Sequence, residues 1–237
     1  MAGHSHWATI KHKKAKEDAK RGKEFTKLVK EITVAARTGG GDPAGNPKLR
    51  LLLDKAKDIN MPLENAQRAI KKGTGELPGQ SYEEITYEGY GPGGIAVMVD
   101  ALTDNKNRTV AELRRLFSSS GGTLAETGSV GWMFERLGVI RLSGNTTEDN
   151  LLEMLLDYNI KDISKDDSLF IIYTDIKSLE PIKQELIKQS LNIESAEIEW
   201  VAKDDLVIPD EQRNQAYEFL SAIEDHDDVQ NVYTNMA

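Results

Sequence analysis

Apolar residues recur at helical spacing through the first third of the chain and at alternate positions through much of the rest. From about Ile10 to Arg37 the spacing predicts one long helix, with Phe25, Leu28, Val29, Ile32 and Ala36 sharing a face. Ahead of Phe25 there is almost nothing to bury. Lys11 to Lys23 are therefore expected to project into solvent or to stay disordered until a partner binds. Gly39-Gly40-Gly41-Asp42-Pro43 breaks the helix. Asn46-Pro47 reads as an N-cap with proline at the first helical position, and Leu49, Leu52, Leu53, Ala56 and Ile59 form the stripe of a second helix. Pro62 opens a third, carrying Leu63, Ala66 and Ile70. It closes at Lys71-Lys72 with Gly73 just beyond its end.

After a linker from Thr74 to Gln80 the period changes. Ile95 to Leu102 alternates as a half-buried strand does. A helix follows over Asn105 to Ser119, where Thr109-x-x-Glu112 resembles a capping box. Short strands are expected at Thr123–Ala125 and Val130–Glu135, with a turn at Thr127-Gly128. Residues 138–201 then supply a whole βαββαβ: strand Val139–Leu142, helix Glu148–Tyr158, strand Lys161–Ser164, strand Leu169–Thr174, helix Leu179–Leu191 and strand Ala196–Val201. A last helix from Pro209-Asp210 and a last strand, Val229–Tyr233, supply the αβ that the earlier βαββ lacks. The fold class is thus α+β: an N-terminal three-helix domain and two ferredoxin-like domains, the second inserted into the first. The expected divisions are 1–80, 81–136 with 206–237, and 137–205.

Charge sharpens this division. The chain of 237 residues carries a formal net charge of -9, but residues 1–75 hold 17 Lys and Arg against 8 Asp and Glu, while residues 76–237 hold 13 against 31. Such asymmetry suits one polyanion-facing segment and a remainder that repels it. Trp7, Lys11, His12, Lys13, Lys14, Lys16, Lys20, Arg21, Lys23 and Lys27 are the candidate nucleic-acid contacts. The cations reward phosphate through counterion release, and Trp7 and His12 offer rings for an unpaired base. No stretch is long and apolar enough to span a membrane, and no secretory signal opens the chain. The absence of cysteine fits a reducing compartment, so the cytoplasm is the expected location.

Catalytic patterns are missing. Four histidines, no cysteine, no Gly-x-Ser-x-Gly elbow and no His-Glu-x-x-His helix leave no enzyme, cofactor or metal site to expect. Ala2-Gly3-His4, exposed if Met1 is removed, has the spacing of a square-planar Cu(II) or Ni(II) chelate and reads as incidental. Gly73-Thr74-Gly75 and the run Gly89 to Gly94 read as tight connections rather than phosphate loops. The acidic runs Glu224-Asp225 and Asp227-Asp228 are expected to be solvated.

The strings Ala2-Gly3-His4-Ser5-His6-Trp7-Ala8-Thr9-Ile10-Lys11-His12-Lys13-Lys14, Gly39-Gly40-Gly41-Asp42-Pro43, Tyr87-Glu88-Gly89-Tyr90-Gly91-Pro92-Gly93-Gly94, Thr103-Asp104-Asn105-Lys106-Asn107-Arg108-Thr109 and Gly128-Ser129-Val130-Gly131-Trp132-Met133-Phe134 resemble the YebC/PmpR family. The likeness covers the chain and is densest up to about Gly138. It implies a helical N-terminal domain, two α+β domains, and no catalytic residue or cofactor. It also implies a regulator of gene expression, either a DNA-binding transcriptional regulator or a ribosome-associated translation factor that contacts ribosomal RNA and relieves stalling. The family includes a mitochondrial translational activator of a cytochrome oxidase subunit. The physical reading of the basic helix, with Trp7 among its cations and no dimeric helix-turn-helix reader, leans towards RNA.

Overall fold

The computed structural model describes residues 18–144, 146–166 and 169–237, with side chains from residue 22 onward. Within it are seven α-helices and two four-stranded antiparallel sheets. One compact unit runs to Met133 and resumes at Asp204, and the other is the continuous stretch Phe134–Lys203.

The first unit opens with α1 (Asp18–Gly39), α2 (Pro47–Asp58) and α3 (Leu63–Gly73). The part of the expected first helix before Asp18 lies outside the described residues. Leu28, Ile32 and Ala35 of α1 meet Leu49, Leu52 and Ala56 of α2 and Ala66 and Ala69 of α3 in one apolar cluster. Gly40, at φ +85°, ends α1 where a side chain would be strained. The buried Asn46 then starts α2. Its Oδ1 accepts the amide of Leu49, and its Nδ2 donates to the carbonyls of Ala35 and Gly40 at the end of α1. One side chain thus caps two helices. Gly73 has a different role from the one its position suggested. It is the last residue of α3 rather than the residue beyond it, and a Cβ there would meet the carbonyl of Thr33 at 2.3 Å.

The rest of this unit is a sheet with the strand order β3-β1-β2-β8. Its strands are β1 (Glu83–Tyr90), β2 (Ala96–Thr103), β3 (Thr123–Ala125) and β8 (Val229–Thr234). Helices α4 (Lys106–Ser119) and α7 (Asp210–Glu224) cover one face, where Val97, Val99 and Ala101 meet Leu113, Phe117, Phe219 and Ile223. Phe117 and Phe219 meet edge to face, 5.0 Å between centroids, and tie the two helices together. The β1–β2 connection turns beneath them. A Cβ on Gly91 would meet the ring of Phe219 at 2.5 Å, so the glycine run is a tight connection, as expected.

The segment Val130–Glu135 does not form a strand of this sheet. Residues 131–133 make a single 3-10 turn, and β4 (Phe134–Ser143) belongs wholly to the second unit. The physical reason is that the amides of Gly128, Val130 and Gly131 all donate to the buried carboxylate of Glu88 and are lost to any ladder. Strand β1 supplies the fourth position instead.

The second unit adds α5 (Glu148–Met154), β5 (Ile160–Asp166), β6 (Leu169–Thr174), α6 (Leu179–Lys188) and β7 (Asn192–Ala202). Its βαββαβ chain order and strand order β5-β6-β4-β7 are those of a ferredoxin-like sheet. Leu151, Ile182 and Leu186 of the helices and Ile140, Leu142 and Ile172 of the strands are fully buried. Arg141 and Glu199 form a buried two-pronged ion pair between β4 and β7, whose removal would strand a charge.

Replacing Gly73 with alanine tests the close approach of α3 to α1. Alanine is the better helix former by about 1 kcal/mol, yet the crowding should lower unfolding free energy by roughly 1–3 kcal/mol. Urea unfolding of the full chain reads the sign directly.

Candidate nucleic-acid interface

Of the candidate contacts, Trp7, Lys11, His12, Lys13, Lys14 and Lys16 lie outside the described residues. Lys20 and Arg21 stand on the first turn of α1. Lys23 and Lys27 are the two whose side chains are described, and both have partners within the protein. Lys23 Nζ donates to the carbonyl of Asp225 at 3.2 Å and lies 3.8 Å from its carboxylate. Lys27 Nζ donates to the carbonyl of Glu224 at 2.6 Å. One turn further on, Lys30 Nζ reaches the carbonyl of Asp227 and the carboxylate of Asp228, each at 2.9 Å. Positions 23, 27 and 30 share one face of α1, and their targets form the corner after α7. Three ammonium groups therefore satisfy carbonyls at the negative end of the α7 dipole.

Asp228 is the centre of this corner. Far from being solvated with its acidic neighbours, it is buried, at 4% exposure. Oδ1 accepts Lys30; Oδ2 accepts Arg108 Nη2 at 2.8 Å, Thr109 Oγ1 at 2.8 Å and Thr103 Oγ1 at 3.2 Å. Burial alone would push its carboxyl up. The hydrogen bonds from Arg108, Lys30 and Thr109, with the Lys30 charge, outweigh that and hold it well below the usual carboxylate range. Arg108 rises in turn through its bonds to Asp228 and Asp104. Thr109 is thus not the cap of α4. That role falls to Asn105, whose Oδ1 accepts the amide of Arg108, leaving the Thr109 hydroxyl for Asp228. His226 completes the corner: its Nδ1 accepts the amide of Asp228, so the proton sits on Nε2, 2.8 Å from Glu112.

The sequence pattern had not singled out Lys30, Arg108 and Asp228 as a group. The available signal was partial: Lys30 falls in phase with Lys23 and Lys27, on the face of α1 away from its apolar stripe, and nothing local shows that it is buried against Asp228.

An open cleft of about 1100 Å³ lies between α1, α4 and this corner, and five cations line it against five carboxylates. That balance lacks the cationic excess that phosphate rewards. Among the described residues there is no cluster of three or more His, Asp or Glu placed to hold a metal ion, and no helix long and apolar enough to cross a membrane. The Ala2-Gly3-His4 start lies outside the described residues.

A basic helix fastened at its base to an acidic α+β unit, with a ferredoxin-like unit set into the chain, defines a modular α+β protein built around a docked cationic segment. Residues 5–76 match the TACO1/YebC protein N-terminal domain, and residues 82–236 match the TACO1/YebC second and third domain. The chain belongs to the TACO1/YebC family. It is 53% identical to a probable transcriptional regulatory protein of Chlorobaculum tepidum, over 100% of this chain and 95% of that one. A probable transcriptional regulatory protein of Desulfosudis oleivorans is 50% identical, over 99% and 96%. The crystal structure of a conserved hypothetical protein from Aquifex aeolicus is similar throughout, with a TM-score of 0.89 and 47% identity over 98% of this chain and 97% of that one.

The Asp228 corner makes a pH prediction. A carboxyl held below its unfolded value adds stability that is complete above about pH 4 and is lost as pH falls towards the folded value. Asp228→Asn should cost about 3–5 kcal/mol at pH 7, because Lys30 is left buried without its counterion. Thermal unfolding should show the gap between the two proteins at full size at pH 5 to 7 and narrowing below about pH 4.

Proposed function

We propose that this chain is a non-enzymatic, nucleic-acid-binding regulator of gene expression whose basic N-terminal segment contacts phosphate. The observation that carries this reading is the three-lysine clamp of α1 on the α7 corner. It gives the run from Lys11 to Arg21 a fixed base next to the clamp. The same clamp narrows the contact set. Lys23 and Lys27 bond to carbonyls, so Trp7, Lys11, His12, Lys13, Lys14, Lys16, Lys20 and Arg21 carry the interface. Residues 1–80 then form the nucleic-acid-contacting domain, residues 81–136 with 206–237 its acidic support, and residues 137–205 an inserted ferredoxin-like domain. No cofactor enters this reading, and the cytoplasm is the compartment it assigns.

The names of the relatives favour a transcriptional regulator acting on DNA. A second reading, a translation factor on ribosomal RNA, draws on one specific feature. Residues 81–133 and 204–237 hold sixteen Asp and Glu against five Lys and Arg. A surface so acidic opposes a duplex laid along it and suits local contact with a folded RNA. Crosslinking in cells, with sequencing of bound DNA and RNA, separates the two. Promoter fragments sharing a sequence support transcription; ribosomal RNA clustered at one site supports translation.

Charge reversal at Lys13, Lys14, Lys20 and Arg21 should abolish binding at physiological salt without unfolding the protein. Neutralising only Lys13 and Lys14 should flatten the slope of log affinity against log salt by about two units. Lys23→Ala with Lys27→Ala should leave that slope unchanged. Equal losses from both pairs would place the interface on the clamp itself.

A further inference from the structure

The second unit carries an apolar shoulder that its own fold leaves in water. On α5, Leu151 and Leu155 are fully buried, whereas Leu152 is 43% exposed and Leu156 76%. The helix is held in one orientation. At its start Thr147 Oγ1 accepts the amide of Asn150, and past its end the amide of Leu155 still reaches the Leu151 carbonyl at 3.0 Å. With Leu151 and Leu155 fixed in the core, Leu152 and Leu156, one turn apart, stand out on a common flank.

Glu148, Asp149, Glu153 and Asp157 border these leucines, and residues 148–157 include no lysine or arginine. All four acids are exposed, and among the described residues none of their carboxylates has a hydrogen-bond or ion-pair partner. The acids of α6 differ: Glu180 accepts Gln184, and Glu185 accepts Lys188 and Gln189. Glu148 and Asp149 suit the positive end of the α5 dipole. Glu153 and Asp157 stand at its negative end, where a cation would stabilise the helix. One turn therefore combines two acids that the dipole disfavours with a leucine held in water. Neither feature serves the folding of this unit, and such departures from local rules gather at functional surfaces.

The two features together select a partner. Free carboxylates repel a phosphate chain and an anionic membrane, and a second copy would bring the same acids face to face. Cations are drawn instead, and the leucines require that they arrive with an apolar stripe. We propose that this flank of α5 docks an amphipathic helix of a protein partner, its apolar stripe on Leu152 and Leu156 and its lysines or arginines against Asp149, Glu153 and Asp157. The proposal does not depend on what the basic N-terminal segment binds.

The probe is an amphipathic peptide of leucine and lysine, about four turns of helix long, titrated into the isotope-labelled full chain and followed by NMR. Amide shifts should saturate and cluster on residues 148–157. Leu152→Ala with Leu156→Ala should weaken binding about tenfold. Glu153→Gln with Asp157→Asn should weaken it too and flatten its salt dependence. All four positions are on the surface, and circular dichroism should show both variants folded. Shifts centred outside α5, or an affinity untouched by the leucine pair, would overturn the proposal. So would equal affinity for a peptide of the same composition with its leucines scattered, which would leave charge alone as the attraction. A single-stranded oligonucleotide should leave residues 148–157 unshifted; shifts there would make the flank a nucleic-acid contact instead. None of these outcomes bears on the basic segment, whose own test is charge reversal at Lys13, Lys14, Lys20 and Arg21.

Discussion

One buried carboxylate organises the first unit. Asp228 gathers a lysine from α1, an arginine and a threonine from α4 and a threonine from the end of β2 around two oxygens. Each donor satisfies a lone pair that burial has taken from water, and the cations keep the group charged in a site that would otherwise neutralise it. The carbonyls of Glu224, Asp225 and Asp227 extend the arrangement along α1. Remove the charge and the donors lose their common target, so helix, sheet and corner depend on it together.

Much of this architecture is legible in the sequence because periodicity reports burial. The stripes Phe25–Ala36 and Leu49–Ile59 became the faces of α1 and α2, the proline-opened helix from Asp210 appeared where its apolar face placed it, and the whole βαββαβ of the second unit emerged in order. The failures share one cause. A side chain that bonds far along the chain leaves no local trace. Thr109 looked like a cap because Glu112 follows three residues later, yet its hydroxyl serves Asp228 over a hundred residues away. Val130–Glu135 reads as a strand because Val130, Trp132, Met133 and Phe134 are apolar, yet Glu88 takes the amides of Val130 and Gly131. Asp228 looked like one member of an acidic run, and only folding shows which of four acids is buried. For the candidate contacts, charge pattern located the basic segment but could not distinguish a lysine facing phosphate from one facing a helix end. Lys23 and Lys27 show how the same residue type at the same spacing serves docking.

The charge asymmetry of the chain acquires a structural meaning from this. Lys23, Lys27 and Lys30, on the face of α1 opposite the apolar stripe that meets α2 and α3, bond to the corner of the α+β part. The acidic α+β surface does two compatible things: it receives the base of the basic helix through helix-end carbonyls, and it discourages a polyanion from spreading further.

The Lys30–Asp228 bond joins residues 198 positions apart, with the entire second unit translated between them. A ribosome delivers α1 early and the corner that holds it only after the second unit, just before β8 completes the sheet. The ferredoxin-like stretch is continuous and can close on its own contacts while the flanking segments wait. Until Asp228 has emerged, then, the basic helix is present without its clamp, and α1 acquires its final anchorage only after that. Loop-closure entropy over so long a separation makes this the step most exposed to premature termination. A nascent chain that ends short of Asp228 carries the full cationic segment but none of the geometry that fixes its base.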